Sequence, residues 1–435
     1  MAAVGEWAGR ERWLIVSYWA NCPGRAPSQH LDDRLPHLRA AGIEVEMVAS
    51  ICGARPAGWG PRWHRVLSLS PSGCRFELRH AARRLPRPWG WLVKSALGVV
   101  VLPCYWLEKL ALPVESTFWW WLSAGPAGLG WAMRRRPDIV YSTGGPMSAH
   151  LAAALISRAL RLPWIAEIQD PLHHEARGRG RLHRWLATKV ERLVHARATG
   201  VVYLTRAARD RAAARAGGAA KLAAIYPGAE VRWAGHRAPG ERMEIAHVGT
   251  LSGSRNAGSL LAALARLAAR RPEVRRRIRL RLVGWLDRAA QGQARSFLHP
   301  EMVEAPGRVP RPAAQAAMAD SDLLVVIQNC DARSEETIPS KVYEYLAAGR
   351  PVLGLTFRNP ELAEMLREAG HTAVEADDVG SIGAALETAY ERWRRGELSA
   401  EPCRRYRVEC AVAELIAWAR RLRAAGAGGR SGDAT

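Results

Sequence analysis

Glu336 and Glu344 stand seven residues apart, with Lys341 between them, in the stretch EETIPSKVYEYLAAGRPVL that spans 335–353. Carboxylates accept hydrogen bonds from sugar hydroxyls. A lysine near a helix start, with that helix's free N–H groups, favours an anion, most usefully a phosphate. A ligand combining a diphosphate with a sugar uses both features. The alternative is an ordinary strand–loop–helix with solvated surface charges.

The neighbouring residues say how these groups are positioned. Asp322-Leu323-Leu324-Val325-Val326-Ile327 reads as a buried strand just upstream. Pro339 biases Ile338 toward extended geometry, so a helix begins only around Ser340. Val342 and Leu346 are spaced for a buried face, and Gly349 supplies a left-handed stop before Pro351 and a further strand. Both acids and the lysine therefore sit where a strand ends and a helix begins, the place where open α/β sheets bind ligands.

The string Ile338-Pro339-Ser340-Lys341-x-Tyr343-Glu344-Tyr345-Leu346-Ala347-Ala348-Gly349-x-Pro351-Val352 resembles the retaining glycosyltransferases of family 4. The resemblance spans nearly the whole chain, specific in the second half and looser in the first. It implies the GT-B fold, an α/β architecture of two Rossmann-like domains facing a central cleft. Relatives with this string are common in polysaccharide and cell-envelope pathways. It further implies that Glu344 holds the ribose hydroxyls and that Glu336 orients the sugar hydroxyls. Lys341 and the helix start at Ser340 would neutralise the leaving diphosphate.

Other segments extend the likeness. Residues 244–249, ending at Gly249, read as a strand, and the loop 250–256 that follows has a phosphate-binding shape. Relatives place an arginine after the first glycine; here Thr250 stands there, and Arg255, followed by Asn256, supplies the nearest cation. Gly307-Arg308-Val309-Pro310 matches a turn whose backbone, near Val309, contacts the nucleobase in the family. Asp320-Ser321-Asp322 has a metal-binding D-x-D form but precedes its strand, at the wrong end for the site; no metal or other cofactor is expected.

The first half opens as strand–loop–helix–strand: 13–17, a loop containing Pro23-Gly24, a helix over 29–41 and a strand over 43–48. It lacks G-x-G-x-x-G, so a dinucleotide fingerprint is absent. Gly24 either lets backbone approach a ligand or is a plain turn glycine. A strand over 137–143 turns through Gly144-Gly145-Pro146 into a helix over 148–160. The next strand, 163–168, ends in Gln169-Asp170-Pro171. Relatives read Arg-Asp-Pro-Trp there. Asp170 is the candidate carboxylate facing an acceptor hydroxyl, or else a cap on the following segment. His150 reads as structural, while His173 and His174 either line the cleft or sit on a mobile loop.

A chain of 435 residues calls for two domains. The reading places an acceptor domain over 1–234, with a linker at 235–240. A nucleotide-sugar domain follows over 243–410, then a helix over 411–424 that crosses back, and a disordered tail over 425–435. Seven scattered cysteines without C-x-x-C argue against a disulfide framework or a zinc site and suit a reducing cytosol. No apolar segment of signal-peptide length opens the chain, so a cytoplasmic protein is expected, peripheral on the inner membrane face if it binds membrane.

The formal net charge of +22 favours anionic partners. No basic-aromatic nucleic-acid module is visible, so phosphorylated substrate or acidic lipid is expected rather than nucleic acid. Residues 86–125 hold Trp89, Trp91, Trp106, Trp119, Trp120 and Trp121, near Arg79, Arg83, Arg84, Arg87 and Lys94. That is the composition of an interfacial membrane segment, too short to span. The alternative is a core helix whose tryptophans fill gaps in the packing. Taken together, the residues imply transfer of sugar from a nucleotide-diphosphate sugar to a saccharide or lipid-linked acceptor. Two rivals stand beside it: a GT-B nucleotide-sugar epimerase, and a non-catalytic sugar-nucleotide or membrane-binding relative.

Overall fold

Strands that are apolar without alternation are buried on both faces, which is the signature of a central parallel strand. The computed structural model describes residues 11–22, 24–59, 62–172, 180–218, 221–231 and 240–428. It divides the chain into two compact units, one comprising Met1–Tyr226 with Val412–Thr435, the other Pro227–Ala411.

The first unit holds β1 (Arg12–Ser17), β2 (Glu44–Ser50), β3 (Trp63–Val66), β4 (Ile139–Gly144), β5 (Trp164–Ile168), β6 (Gly200–Tyr203) and β7 (Leu222–Ala224). All pair in parallel, in the order β3-β2-β1-β4-β5-β6-β7. The second unit holds β8 (Met243–Val248), β9 (Ile278–Val283), β10 (Val303–Gly307), β11 (Leu323–Ile327), β12 (Val352–Thr356) and β13 (Thr372–Glu375). Their order is β10-β9-β8-β11-β12-β13, again parallel throughout. In each sheet the winding direction reverses once, between β1 and β4 and between β8 and β11. In open parallel sheets, ligands bind outside the carboxyl ends of such strand pairs.

The edge strands β3, β7, β10 and β13 are half-exposed and carry no clear apolar pattern, and sequence reading does not find them. Residues 227–231 group with the second unit, not the first. Ala229 bonds Tyr406 and Val408 through their backbones, an isolated parallel bridge to Arg407. The last helix, Val408–Gly428, starts earlier than 411 and runs into the expected disordered tail, because its final turns are rich in alanine, the best helix former. From Val412 onward it belongs to the first unit: Trp418 and Leu422 pack against Gly200, and Arg420 reaches Glu11 at 2.9 Å. His173, His174 and the linker 235–239 lie outside the described residues.

The segment after β1 rests on an acid. Glu77, on the helix Pro71–Ala81, is fully buried; it accepts from the Tyr18 hydroxyl at 3.2 Å and from the Ser68 N–H at 3.1 Å. Burial pushes its pKa up to about 8, against a smaller downward pull from those hydrogen bonds. The folded value lies above the ordinary 4.5, so the native state binds the extra proton. That contribution to stability is complete below the unfolded pKa and is lost as pH rises through about 8. Glu77→Gln, which cannot ionise, should gain on the wild type between pH 5 and pH 8 by up to roughly 1.4 kcal/mol per pH unit. Urea unfolding at several pH values measures the difference. Parallel stability curves for the two proteins would contradict the assignment.

Candidate active site

The loop after β8 is built to be rigid. Gly249 donates to Val283, Leu251 donates to Trp285, and Asp287 donates back to Leu251. The Asp287 carboxylate accepts the Gly253 N–H at 2.9 Å and caps the helix Arg288–Arg295 through Ala290. Gly284 sits at φ +137°, and a Cβ there would fall 1.9 Å from the Gly249 carbonyl oxygen. No other residue fits where those two loop backbones touch.

On its other side the same loop is tied to the loop after β11. The Ser254 hydroxyl donates to Asp331 at 2.6 Å, and the Cys330 N–H donates to the Ser254 carbonyl at 3.3 Å. This is the strand reversal expected to bind ligand. Arg255 and Arg333 come together here. Burial lowers the Arg255 pKa, the charge of Arg333 lowers it further, and Asp331 opposes both. Among the described residues the Arg255 Nε has no hydrogen-bond partner. Arg333 pairs with Asp331 at 2.9 Å, and Asp331 is in turn held well below the usual carboxylate range, chiefly by Arg333. The positive charge of Arg333 thus bears on a desolvated Arg255, an arrangement that an anion would relax. Sequence reading found Arg255 and missed Arg333. Its only signal was a third cation beside the acids.

Glu336 follows the single turn Ala332–Glu335 and is half-buried. The segment that carries it is held by two amides. Gln328 Nε2 donates to the carbonyls of Ser334 at 2.8 Å and Thr337 at 2.9 Å, and Asn359 Nδ2 donates to the same two carbonyls. Gln328 Oε1 accepts from the Phe357 N–H, and Asn359 Oδ1 caps the next helix through Leu362. Neither amide belongs to a motif: Gln328 acts on backbone 6 and 9 residues on, and Asn359 on the same backbone 25 and 22 residues back.

The helix Lys341–Ala348 then begins, with Ser340 at its N-cap position. Tyr345, fully buried, accepts the Val248 N–H through its hydroxyl at 3.0 Å, which fixes this helix to the tip of β8. Gly349 ends it at φ +68°, against Pro402. Lys341 Nζ lies 2.9 Å and 3.0 Å from the two Glu344 oxygens, and Glu344 is almost fully buried. The structure thus joins two groups that the sequence assigned to different parts of a ligand. Asn256 uses its Oδ1 locally, accepting the Gly258 N–H at 2.9 Å. Val309 follows Gly307 at the end of β10, and Gly284 donates to the Gly307 carbonyl, so this turn borders the same crevice. Asp322 accepts the Glu244 N–H at 2.8 Å at the opposite, N-terminal edge of the sheet.

In the first unit, Gly144 ends β4 and Gly145 follows it, and Asp170 lies just beyond β5. A Cβ on Gly145 would stand 3.2 Å from the Asp170 carboxylate, so these residues share one spot. Gln169 anchors that strand end: its Nε2 donates to Thr143 at 2.8 Å and to Glu167 at 3.2 Å. Glu167 is itself buried against Arg34 and accepts the Thr143 hydroxyl. Burial, the largest single effect, opposes its charge, but Arg34 together with the Thr143 and Tyr141 hydroxyls lowers its pKa. Gly24, at φ +79°, lies in open space, the geometry of a turn glycine. His150 is buried with Nδ1 2.9 Å from Ser142, and burial lowers its pKa to about 4, a structural role.

Gly284→Ala should destabilise the second unit by about 3 kcal/mol or more, since it adds both left-handed strain and a backbone clash. Chemical denaturation measures it, and a loss under about 0.5 kcal/mol, the range of ordinary surface changes, would mean that the two loops are not in contact.

Residues 27–228 match the family model for a glycosyl transferase 4-like domain, and residues 242–392 match the model for glycosyl transferases group 1. No curated protein matches the chain. Solved structures share its fold. Anabaena HepE in complex with UDP and glucose is 15% identical, with a TM-score of 0.56 over 94% of this chain and 98% of that one. Sucrose-phosphate synthase from Thermosynechococcus elongatus is 13% identical, with a TM-score of 0.64 over 96% and 100%. The lipopolysaccharide outer core galactosyltransferase WaaB, in its apo form, is 12% identical, with a TM-score of 0.57 over 94% and 98%. Two family models in tandem, on two parallel α/β units of this topology, make the chain a glycosyltransferase of the GT-B fold.

Proposed function

We propose that this glycosyltransferase is a retaining, metal-independent enzyme that takes its sugar from a nucleotide-diphosphate donor bound in the second unit. The observation that carries this reading is that the loops after β8 and β11, tied together through Ser254 and Asp331, bring Arg255 and Arg333 to the strand reversal that precedes the helix starting with Lys341. A diphosphate would relieve the repulsion between the arginines and draw Lys341 from Glu344. As the bond to the sugar breaks, charge builds on the leaving diphosphate. These cations and the helix N-terminus are fixed in advance to receive it. That supplies the charge neutralisation a divalent ion provides in other enzymes.

The remaining roles follow the family resemblance. Glu344, released from Lys341, would take the ribose hydroxyls, and Val309 the base. Glu336, held by Gln328 and Asn359, would orient the sugar, with Gly249, Asn256 and Ser340 lining the phosphate side. Asp170, beside Gly144 and Gly145, would face the acceptor hydroxyl, for which a lipid-linked saccharide of an envelope glycan is the proposed class. HepE holds UDP and glucose, so a UDP-sugar is the first donor to test.

Uridine diphosphate should raise the melting temperature, and Arg255→Ala or Arg333→Ala should each weaken its binding about tenfold, the loss of one charge-assisted bond. Glu336→Ala should lower turnover by about a hundredfold or more while nucleotide affinity changes little. Release of an epimerised sugar from the donor alone, with no transfer to any acceptor, would favour the epimerase. Unchanged turnover in Glu336→Ala would remove the carboxylate from the reaction.

A further inference from the structure

The tryptophans of residues 86–125 separate into two groups. Trp120 is fully buried and donates to the Val66 carbonyl at 3.0 Å, while Trp119 and Trp121 pack against the core of the first unit. Trp89 and Trp91, on the helix Arg87–Val100, are 63% and 67% exposed, and Trp106, on the helix Leu102–Ala111, is 57% exposed. Val99, Val100, Leu107 and Leu110 are exposed beside them.

On the second helix of this pair the charged side chains Glu108 and Lys109 turn back onto the protein while Trp106, Leu107 and Leu110 face out. Glu108 accepts the Ser72 N–H at 2.8 Å and its hydroxyl at 2.6 Å, at the start of the helix Pro71–Ala81. The Lys109 ammonium donates to the Val114 carbonyl, and the Arg75 guanidinium lies 5.0 Å from the Tyr105 ring centre. Gly90 seats the first helix against the Ala82 carbonyl. A surface helix in water does the reverse, hiding its apolar stripe and exposing its charges. An outward face of this size and aromatic content calls for an apolar partner.

Charge says which partner. Arg79, Arg83, Arg84, Arg87 and Lys94 are all exposed, and no aspartate or glutamate occurs from 79 to 107. No helix among the described residues is long and apolar enough to cross a membrane. The first helix reaches about 21 Å, against roughly 30 Å of hydrocarbon. Tryptophan with flanking cations on a short, outward-apolar helix suits the headgroup region of an anionic bilayer.

We propose that the helices Arg87–Val100 and Leu102–Ala111 form a docking surface for an anionic lipid bilayer, with Trp89, Trp91 and Trp106 entering the headgroup boundary and the five cations meeting acidic lipid. The proposal does not depend on the donor site. It is tested by flotation, which needs no turnover, so its failure leaves the donor reading standing and the reverse holds equally.

The full chain should float with vesicles of phosphatidylcholine and phosphatidylglycerol. Recovery should fall about tenfold or more with phosphatidylcholine alone or at high salt. The variant Trp89→Ser/Trp91→Ser/Trp106→Ser should lose binding by a similar factor with unchanged circular dichroism and melting temperature, since none of the three is core. Arg83→Glu/Arg84→Glu should remove the preference for acidic lipid. Lack of recovery with either vesicle, or a triple variant that floats like the wild type, overturns the proposal. So does a dimer in sedimentation velocity that the triple variant abolishes without any vesicle binding, because a second copy would then cover this face.

Discussion

The candidate donor site depends on one bond, from the Val248 N–H to the Tyr345 hydroxyl. Val248 ends β8, and Tyr345 lies one turn into the helix that carries Lys341 and Glu344. A parallel sheet sets the spacing of its strand ends, but a helix after β11 could still sit at many angles above them. A buried hydroxyl that must find a partner removes that freedom, because leaving either group unpaired in the core costs about 1–3 kcal/mol. The cations and acids are thereby held at the mouth of the crevice before any ligand arrives.

Around that bond the loops are restrained by backbone and amide contacts more than by packing. Asp287, Ser254, Gln328 and Asn359 each bind main chain or a neighbouring loop, and none needs to touch a substrate. Such supports let charged side chains remain close together without ligand. Arg255 and Arg333 repel each other, and Asp331 compensates only in part. Such an arrangement of positive charge is one that an anion would relax.

The first unit organises its own strand ends differently. Arg34 and Glu167 form a buried pair beneath β4 and β5, joined by Tyr141, Thr143 and Gln169. A lone charge there would be prohibitive, and removing either partner would strand the other. The consequence reaches the surface: Gln169, locked into the network, presents Asp170 beside Gly145. The helix pair of residues 87–111 lies on the same unit with Trp89, Trp91 and Trp106 exposed.

The chain alone determined the fold class, most central strands, and the strand–loop–helix holding Glu336, Lys341 and Glu344. Those are local facts: apolar runs, a proline, a glycine and the spacing between them act within a few residues. The family resemblance also marked Asp170 and Gly145 at strand ends and Arg255 in the loop after the first strand of the second domain. Only the tertiary structure decided that Arg333 joins Arg255, that Lys341 pairs with Glu344, and that Gln328, Asn359 and Tyr345 hold the site in place. It likewise separated Trp120 from Trp89, Trp91 and Trp106, which composition treats alike. Periodicity says which faces of an element are apolar. What each face meets depends on residues far away in the chain, and hydrogen bonds, ion pairs and burial are set by that meeting.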